Sequence, residues 1–120
     1  MSNPFNLQVL DGLFDTGAQT TCITPRAASK IGLSPLGVLP IQGVGGVNLH
    51  NYYLFRIGFV DMQANEFGGT NPHIHFVEKD IEGPEFDCGP NAGFDILIGM
   101  DLISAGTLTI GRNGRFKFSF

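Results

Sequence analysis

The chain has 120 residues, 42% of them hydrophobic and 15% charged, which is typical of a folded globular domain and excludes a disordered segment. Its length fits one domain over residues 1–120. The formal net charge is -4 and the seven Lys and Arg residues are scattered, which argues against nucleic acid as a partner. No apolar run reaches the roughly 18 to 20 residues of a membrane helix, so no membrane partner is expected.

Cellular compartment is indicated by the first residues and by the cysteines. The start, MSNPFNLQ, lacks the basic and apolar regions of a secretory signal, so we expect a cytoplasmic protein. In a reducing cytosol Cys22 and Cys88 are expected as free thiols. Cys22 is interpreted as a small core residue, because no His lies near it in the sequence to make it a nucleophile.

Seventeen glycines and seven prolines interrupt the chain, which favours short strands joined by turns. Residues 7–14 predict a strand or a hairpin. Residues 24–33 predict a short helix with Thr24 as its cap, Pro25 in its first position and Gly32 as its stop.

The rest of the chain continues this mainly β pattern. Residues 39–60 predict a strand, a glycine-rich tip and a longer strand, and residues 71–81 predict another strand. Residues 82–93 contain two Gly-Pro breaks and predict an irregular loop. Residues 94–106 predict a buried strand and then a short helix capped by Asp101.

The C-terminal residues 107–120 predict a hairpin around Asn113-Gly114. An alternating pattern places several apolar residues on one of its faces: Leu108, Ile110, Phe116, Phe118 and Phe120. Such a face invites pairing with another sheet or with another subunit.

Three short stretches carry the functional signal: LFDTGA at 13–18, IQGVGGV at 41–47 and ILIGMD at 96–101. Together they resemble the retropepsin-like aspartic proteases, the single-domain class of retroviruses and retrotransposons with cellular and bacterial relatives. The first is similar to the catalytic motif and the second to the flap, a hairpin that opens for a peptide. ILIGMDLIS is similar to a strand and helix start of retrotransposon-type members.

This resemblance covers Leu13 to about Ile103 and implies an all-β fold with one or two short helices. The implied fold is a closed β-barrel, half of an acid protease, that functions as a homodimer on a peptide or protein substrate with no cofactor or metal. The implied catalytic residues are Asp15, Thr16 and Gly17. The implied substrate-binding residues are Ala18, Gln19, Gly43, Val44, Gly45, Gly46 and Val47. The implied support of the catalytic loop comes from Leu97, Ile98 and Gly99.

Aspartic proteases hydrolyse peptides with two carboxylates that share one proton, because like charges a few Å apart cannot both ionise near neutral pH. This chain has one Asp-Thr-Gly, and neither Asp95 nor Asp101 is followed by Thr-Gly or Ser-Gly. The family pattern therefore implies that Asp15 from each of two chains meets on a two-fold axis.

The sequence also departs from the retroviral pattern. Gln19 stands where retroviral members usually have an acidic residue, and Met100 stands where they usually have Arg. Only fourteen residues precede Asp15, and the C-terminal hairpin could build the dimer interface alone. These departures leave open a binding or dimerisation module without turnover, and a processing domain of a larger polyprotein.

His73 and His75 stand two positions apart, on one face if their segment is a strand, so a metal site was considered. No further Cys or His lies nearby at ligand spacing. The pair is interpreted as solvent-facing or packed against a loop.

Overall fold

The computed structural model describes residues 8–43, 45–86 and 93–119, and the described chain is mainly β, as predicted. Two short helices are present, α1 (Pro25–Lys30) and α2 (Met100–Ile103). The strands in chain order are β1 (Gly12–Phe14), β2 (Cys22–Ile23), β3 (Gly37–Gly43), β4 (Gly46–Phe55), β5 (Gly58–Ala64), β6 (Thr70–Phe76), β7 (Ile81–Pro84), β8 (Ile96–Ile98), β9 (Thr107–Ile110) and β10 (Phe116–Ser119). They pair into four separate sheets, and within the described ranges none of these closes into the expected barrel.

A three-stranded sheet in the order β1-β8-β2 carries the predicted catalytic motif. The middle strand β8 is parallel to β1 and antiparallel to β2, and its three apolar residues are all buried. The register pairs Phe14 with Ile98. Because parallel strands end at the same edge of a sheet, Asp15 and Gly99 leave these two strands side by side.

The glycine-rich segment forms the tip of the β3–β4 hairpin, which we call the flap hairpin, in a second sheet of order β3-β4-β7. The register pairs Gly43 with Gly46 across the tip. Gly46 has a φ of 107°, a backbone conformation that side chains with a Cβ rarely adopt. The strand, the tip and the return strand as far as Phe55 are therefore confirmed, and Val44 lies outside the described residues.

The segment predicted as an irregular loop begins as a strand instead. Strand β7 reaches Pro84 and pairs with β4, with Ile81, Gly83 and Pro84 buried. Proline is tolerated here because β7 lies at the edge of its sheet, where a missing N–H costs no ladder bond. Residues 87–92 of the predicted loop, including Cys88, lie outside the described residues.

The long return strand predicted through Val60 is interrupted after Phe55. The chain passes into a separate two-stranded sheet of β5 and β6, in which Gly58 pairs with Phe76. A Cβ on Gly58 would lie 2.6 Å from the Ile74 side chain, so this crossover depends on glycine. The apolar alternation continues across the break because Ile57 and Phe59 still pack against the core.

The terminal hairpin of β9 and β10 is confirmed around Asn113-Gly114, where Gly114 has a φ of 78°. Cross-strand pairing places Phe116 opposite Ile110 and Phe118 opposite Leu108, as the alternation predicts. Phe120 lies outside the described residues.

The apolar face of this hairpin packs on its own chain. Phe118 lies 5.3 Å from Phe14 and 5.6 Å from Phe59 between ring centroids, and Phe116 lies 5.4 Å from Phe14. Phe116 nevertheless remains 60% exposed and Ile110 70% exposed. The hairpin is thus covered by its own domain at one end and open at the other.

Both predicted helices are present, but one begins differently. Helix α1 has Thr24 as its N-cap, with the side-chain oxygen accepting the Ala27 N–H at 3.2 Å, and Gly32 follows it with a φ of 74°. Helix α2 is not capped by Asp101, because Gly99 is its N-cap residue and Asp101 lies in the first turn.

The core is built from β2, α1, β4, β7, β8 and α2. Its buried side chains are Ile23, Ala27, Ala28, Tyr53, Phe55, Ile81, Ile96, Ile98, Leu102 and Ile103. Neither helix of the described chain has the length or the apolar character needed to cross a bilayer.

Candidate active site

The predicted catalytic motif lies in the loop between β1 and β2, residues 15–21, which we call the Asp15 loop. The loop begins where β1 ends, and the Asp15 N–H donates to the Ile98 carbonyl at 2.9 Å. This bond extends the ladder between β1 and β8 by one residue. Asp15 therefore leaves a buried sheet in a fixed direction.

The Asp15 carboxylate is held by its own loop. Its Oδ1 accepts the Gly17 N–H at 2.9 Å, and its main-chain carbonyl accepts the Ala18 N–H at 3.1 Å. A Cβ on Gly17 would lie 3.2 Å from Oδ1, a close approach that favours glycine. Asp15 is half-buried, whereas Thr16 and Gly17 are exposed. A turn of this kind presents a carboxylate to a ligand while limiting its motion.

Of the residues predicted to support the loop, Ile98 and Gly99 contact it and Leu97 pairs with the strand before it. Gly99 is buried against the far side of the loop, where a Cβ would lie 2.7 and 2.8 Å from backbone atoms of Thr20 and 3.0 Å from the Ala18 carbonyl oxygen. Leu97 pairs with Leu13 in β1, and Ile98 accepts from Asp15. The structure therefore brings the first and third motifs together.

The start of α2 continues this contact through the backbone. The Met100 N–H donates to the Ala18 carbonyl at 2.8 Å, and the Asp101 N–H donates to the Gln19 carbonyl at 3.1 Å. Gln19 and Met100 are both exposed. They stand where retroviral members usually have an acidic residue and an Arg. At these two positions the loop and α2 are joined through main-chain bonds.

Sequence reasoning missed the side-chain link between these segments, which joins Asp101 to Thr21. The Thr21 N–H donates to both Asp101 oxygens at 3.0 Å, and the Thr21 hydroxyl donates to Oδ1 at 2.6 Å. Thr21 is fully buried. The available signal was a carboxylate two residues after Gly99 at the end of the ILIG run, since a carboxylate there can reach the neighbouring loop.

The other carboxylate of the third motif has a different structural position. Asp95 is buried, and its two oxygens accept the Asp11 N–H at 3.0 Å and the Arg26 guanidinium at 3.3 Å. It therefore joins β8 to the start of β1 and to α1. Both Asp95 and Asp101 have their oxygens occupied by donors of their own chain.

The flap hairpin belongs to a different sheet from the Asp15 loop. Gly43 and Gly45 are exposed at its tip, Gly46 is partly covered, and Val47 is exposed. A Cβ on Gly45 would meet no atom within 4 Å, so the tip has open space around it.

Other reactive side chains make no second centre in the part of the chain that the structure describes. Burial, followed by the charges of Asp101 and Asp15, raises the pKa of the Cys22 thiol, which disfavours the nucleophilic thiolate. His73 and His75 lie in β6, with His75 3.9 Å from Asp61. Among the described residues no group of three or more potential ligands is placed to hold a metal.

Comparison with known proteins identifies the family. A family model described as aspartyl protease matches residues 5–102, most of the chain. The chain therefore belongs to this retropepsin-like aspartyl protease family, as its three motifs predict. Membership supports aspartic protease activity in general and implies peptide substrates. No curated protein and no solved structure matched in the same comparisons.

Proposed function

We propose that this protein is an aspartic endopeptidase that works as a homodimer, with Asp15 of two chains forming the catalytic pair. The observation that carries the proposal is the half-buried Asp15 carboxylate, fixed by Gly17 through one oxygen at the end of a buried sheet in a chain of this family. Its other oxygen accepts no hydrogen bond from the described chain, which leaves an acceptor for water.

The need for a second chain follows from the carboxylates. The sequence has one Asp-Thr-Gly, and the oxygens of Asp95 and Asp101 are committed to donors in the same chain. A two-fold axis through the loop would supply the second Asp15, since a closed dimer brings identical surfaces together. The exposed Thr16 and Gly17 are the residues available for hydrogen bonding and close packing across that axis.

In the proposed reaction the ionised Asp15 removes a proton from water, and the water oxygen attacks the peptide carbon. The protonated Asp15 of the other chain donates its proton to the carbonyl oxygen. Collapse of the tetrahedral intermediate breaks the C–N bond: the first Asp15 gives its proton to the leaving nitrogen, and one hydroxyl of the intermediate gives its proton to the other Asp15. The pair is then left with one shared proton, so its two apparent pKa values belong to both groups together.

The substrate is proposed to bind as an extended strand between the loop and the flap hairpin. Ala18 and Gln19 would bind the peptide backbone from the loop, and the glycines of the tip would let the flap hairpin close over it. The free Cys22 thiol suits the cytoplasm as the proposed compartment.

The test is cleavage of a peptide pool from acid to neutral pH, read by mass spectrometry, with Asp15→Asn as the nearly isosteric variant. We expect cleavage by the unsubstituted protein and none by Asp15→Asn. Asp80→Asn is the matched control, because Asp80 is half-exposed and pairs only with the exposed Arg56.

Specific activity should also fall on dilution below the dimer dissociation constant. Full activity in Asp15→Asn would overturn the proposed mechanism. No cleavage by a folded dimer at any pH would instead favour a binding or dimerisation module without turnover.

A further inference from the structure

The Asp15 loop is attached to the body of the domain at both ends. At its start the Asp15 N–H donates to the Ile98 carbonyl. At its end Thr21 is fully buried between α2 and β2. The stretch between, from Thr16 to Thr20, is exposed apart from the partly covered Ala18. The position of Asp15 therefore depends on how firmly the buried end is held.

Asp101 holds that end with a carboxylate that contacts the loop directly. Its two oxygens accept the Thr21 N–H at 3.0 Å each, and Oδ1 also accepts the Thr21 hydroxyl at 2.6 Å and the Leu102 N–H at 2.9 Å. Every group that faces these oxygens in the described chain is a donor. An ionised carboxylate suits this position because it only accepts hydrogen bonds.

The hydroxyl of Thr21 links the loop to two residues of the third motif, Asp101 and Gly99. It donates its proton to Asp101 and accepts the Gly99 N–H at 3.1 Å. Gly99 in turn lies against Ala18 and Thr20 of the same loop. Thus Asp101, Thr21 and Gly99 form a closed set of contacts around the loop, which we call the Asp101 clamp.

We infer that Asp101 is a positioning residue, whose carboxylate fixes the Asp15 loop in the geometry that catalysis requires. This inference rests on the proposed function for its effect on cleavage. An amide in its place would put an N–H₂ donor toward the Thr21 donors or would surrender one of the two acceptor oxygens. The loop would then keep its main-chain bonds to α2 but lose its side-chain anchor.

The experiment compares Asp101→Asn with Thr21→Val, which removes only the clamp hydroxyl in a side chain of nearly the same shape. Asp95→Asn is the matched control: it makes the same chemical change at a buried carboxylate that contacts Asp11 and Arg26 instead of the loop. Each variant is checked for folding by circular dichroism and assayed well below its unfolding temperature.

For Asp101→Asn and Thr21→Val we expect kcat to fall about 10- to 100-fold with KM changed less than about threefold, because the loss is one of geometry. Asp95→Asn should keep kcat, whatever it costs in stability. If either folded clamp variant retains the kcat of the unsubstituted protein, the inference is wrong. If Asp101→Asn does not fold, the kcat of Thr21→Val alone tests the inference.

A second measurement separates this inference from the proposed function. Amide hydrogen exchange at Gly17 and Ala18 reports the bonds that orient Asp15, because both amides donate to Asp15 and neither donates to Asp101. We expect both amides to exchange at least about tenfold faster in the clamp variants than in Asp95→Asn. If the unsubstituted protein does not cleave peptides, the proposed function fails, and this exchange result still decides the inference. Unchanged exchange overturns it.

Discussion

Asp15, Asp95 and Asp101 are one residue type in three environments, and the environments assign their roles. Asp95 and Asp101 accept hydrogen bonds through both oxygens, whereas the Asp15 carboxylate accepts only the Gly17 N–H within the described chain. A carboxylate with all its acceptors used stabilises structure, and one with an open oxygen can bind water or substrate. The sequence already made Asp95 and Asp101 poor candidates for catalytic partners, but it could not show what they do instead.

Added volume at Gly99 would press directly on the backbone of the Asp15 loop. In Gly99→Ala the new methyl group would lie within 3.0 Å of backbone atoms of Ala18 and Thr20, so the loop would have to shift. We expect the free energy of unfolding to fall by about 1–3 kcal/mol. Urea unfolding measures it, with Gly93→Ala as control, since a Cβ there meets no atom of the described residues within 4 Å. Equal stability of the two variants would contradict this account.

The Cys22 thiol gives a pH dependence of known sign. Burial and the nearby carboxylates raise its pKa above the ordinary value of 9.0, so the unfolded chain releases this proton first as the pH rises. The protonated thiol therefore contributes fully to folding stability below about pH 9, and this contribution is lost as the pH rises above that value.

Alkylation by iodoacetamide in a Cys88→Ser background should therefore be slower in the folded protein than in urea at pH 8. Its rate should reach half of its maximum above pH 9.0. A midpoint below that value would refute the assigned environment.

At the scale of elements, the sequence predicted the helices and strands that depend mainly on interactions between neighbouring residues. The Thr24 cap predicted helix α1, and the apolar run predicted strand β8. The Asn-Gly turn predicted the terminal hairpin. Strand β7 was missed because its Gly83 and Pro84 are poor strand formers. They form a strand here only because the segment pairs with β4. The break after Phe55 was missed for a similar reason, since the side-chain alternation continues while the hydrogen-bond partner changes.

Helix α1 should depend on its cap more than on its exposed residues. Thr24→Ala removes the acceptor of the Ala27 N–H in a buried site, and we expect a loss of about 1 kcal/mol in the free energy of unfolding. Ser29→Ala, on the exposed side of the same helix, should be neutral or slightly stabilising. Thermal unfolding of the two variants makes the comparison, and a reversed order would contradict the cap assignment.

At the scale of the whole molecule, the motif residues of the site could be predicted and their connections could not. The order of the three motifs identified the Asp15 loop and its support at Leu97, Ile98 and Gly99. The bond between Thr21 and Asp101 joins residues 80 positions apart, and no local pattern records such a contact. The catalytic role of Asp15, the roles of the flap residues and the homodimer stay predictions.

A cluster of aromatic side chains joins the terminal hairpin to β1, the strand that leads into Asp15. Phe118 contacts both Phe14 and Phe59, while the more exposed Phe116 contacts Phe14. Phe118→Ala should therefore cost about 3 kcal/mol of unfolding free energy, and Phe116→Ala about 1 kcal/mol. Urea unfolding at a fixed protein concentration tests this order, and a larger loss for Phe116→Ala would indicate that its ring is buried elsewhere, as in a dimer interface.

The parallel pairing of β1 with β8 has a consequence for the time at which the site can form. These strands lie near opposite ends of the chain, so their pairing must close a loop of most of the sequence, a step that slows folding. During synthesis the Asp-Thr-Gly emerges well before its partner strand and Asp101. A growing chain therefore carries this motif before the sheet and the Asp101 clamp that support it, and the proposed active site can form only after α2 has emerged.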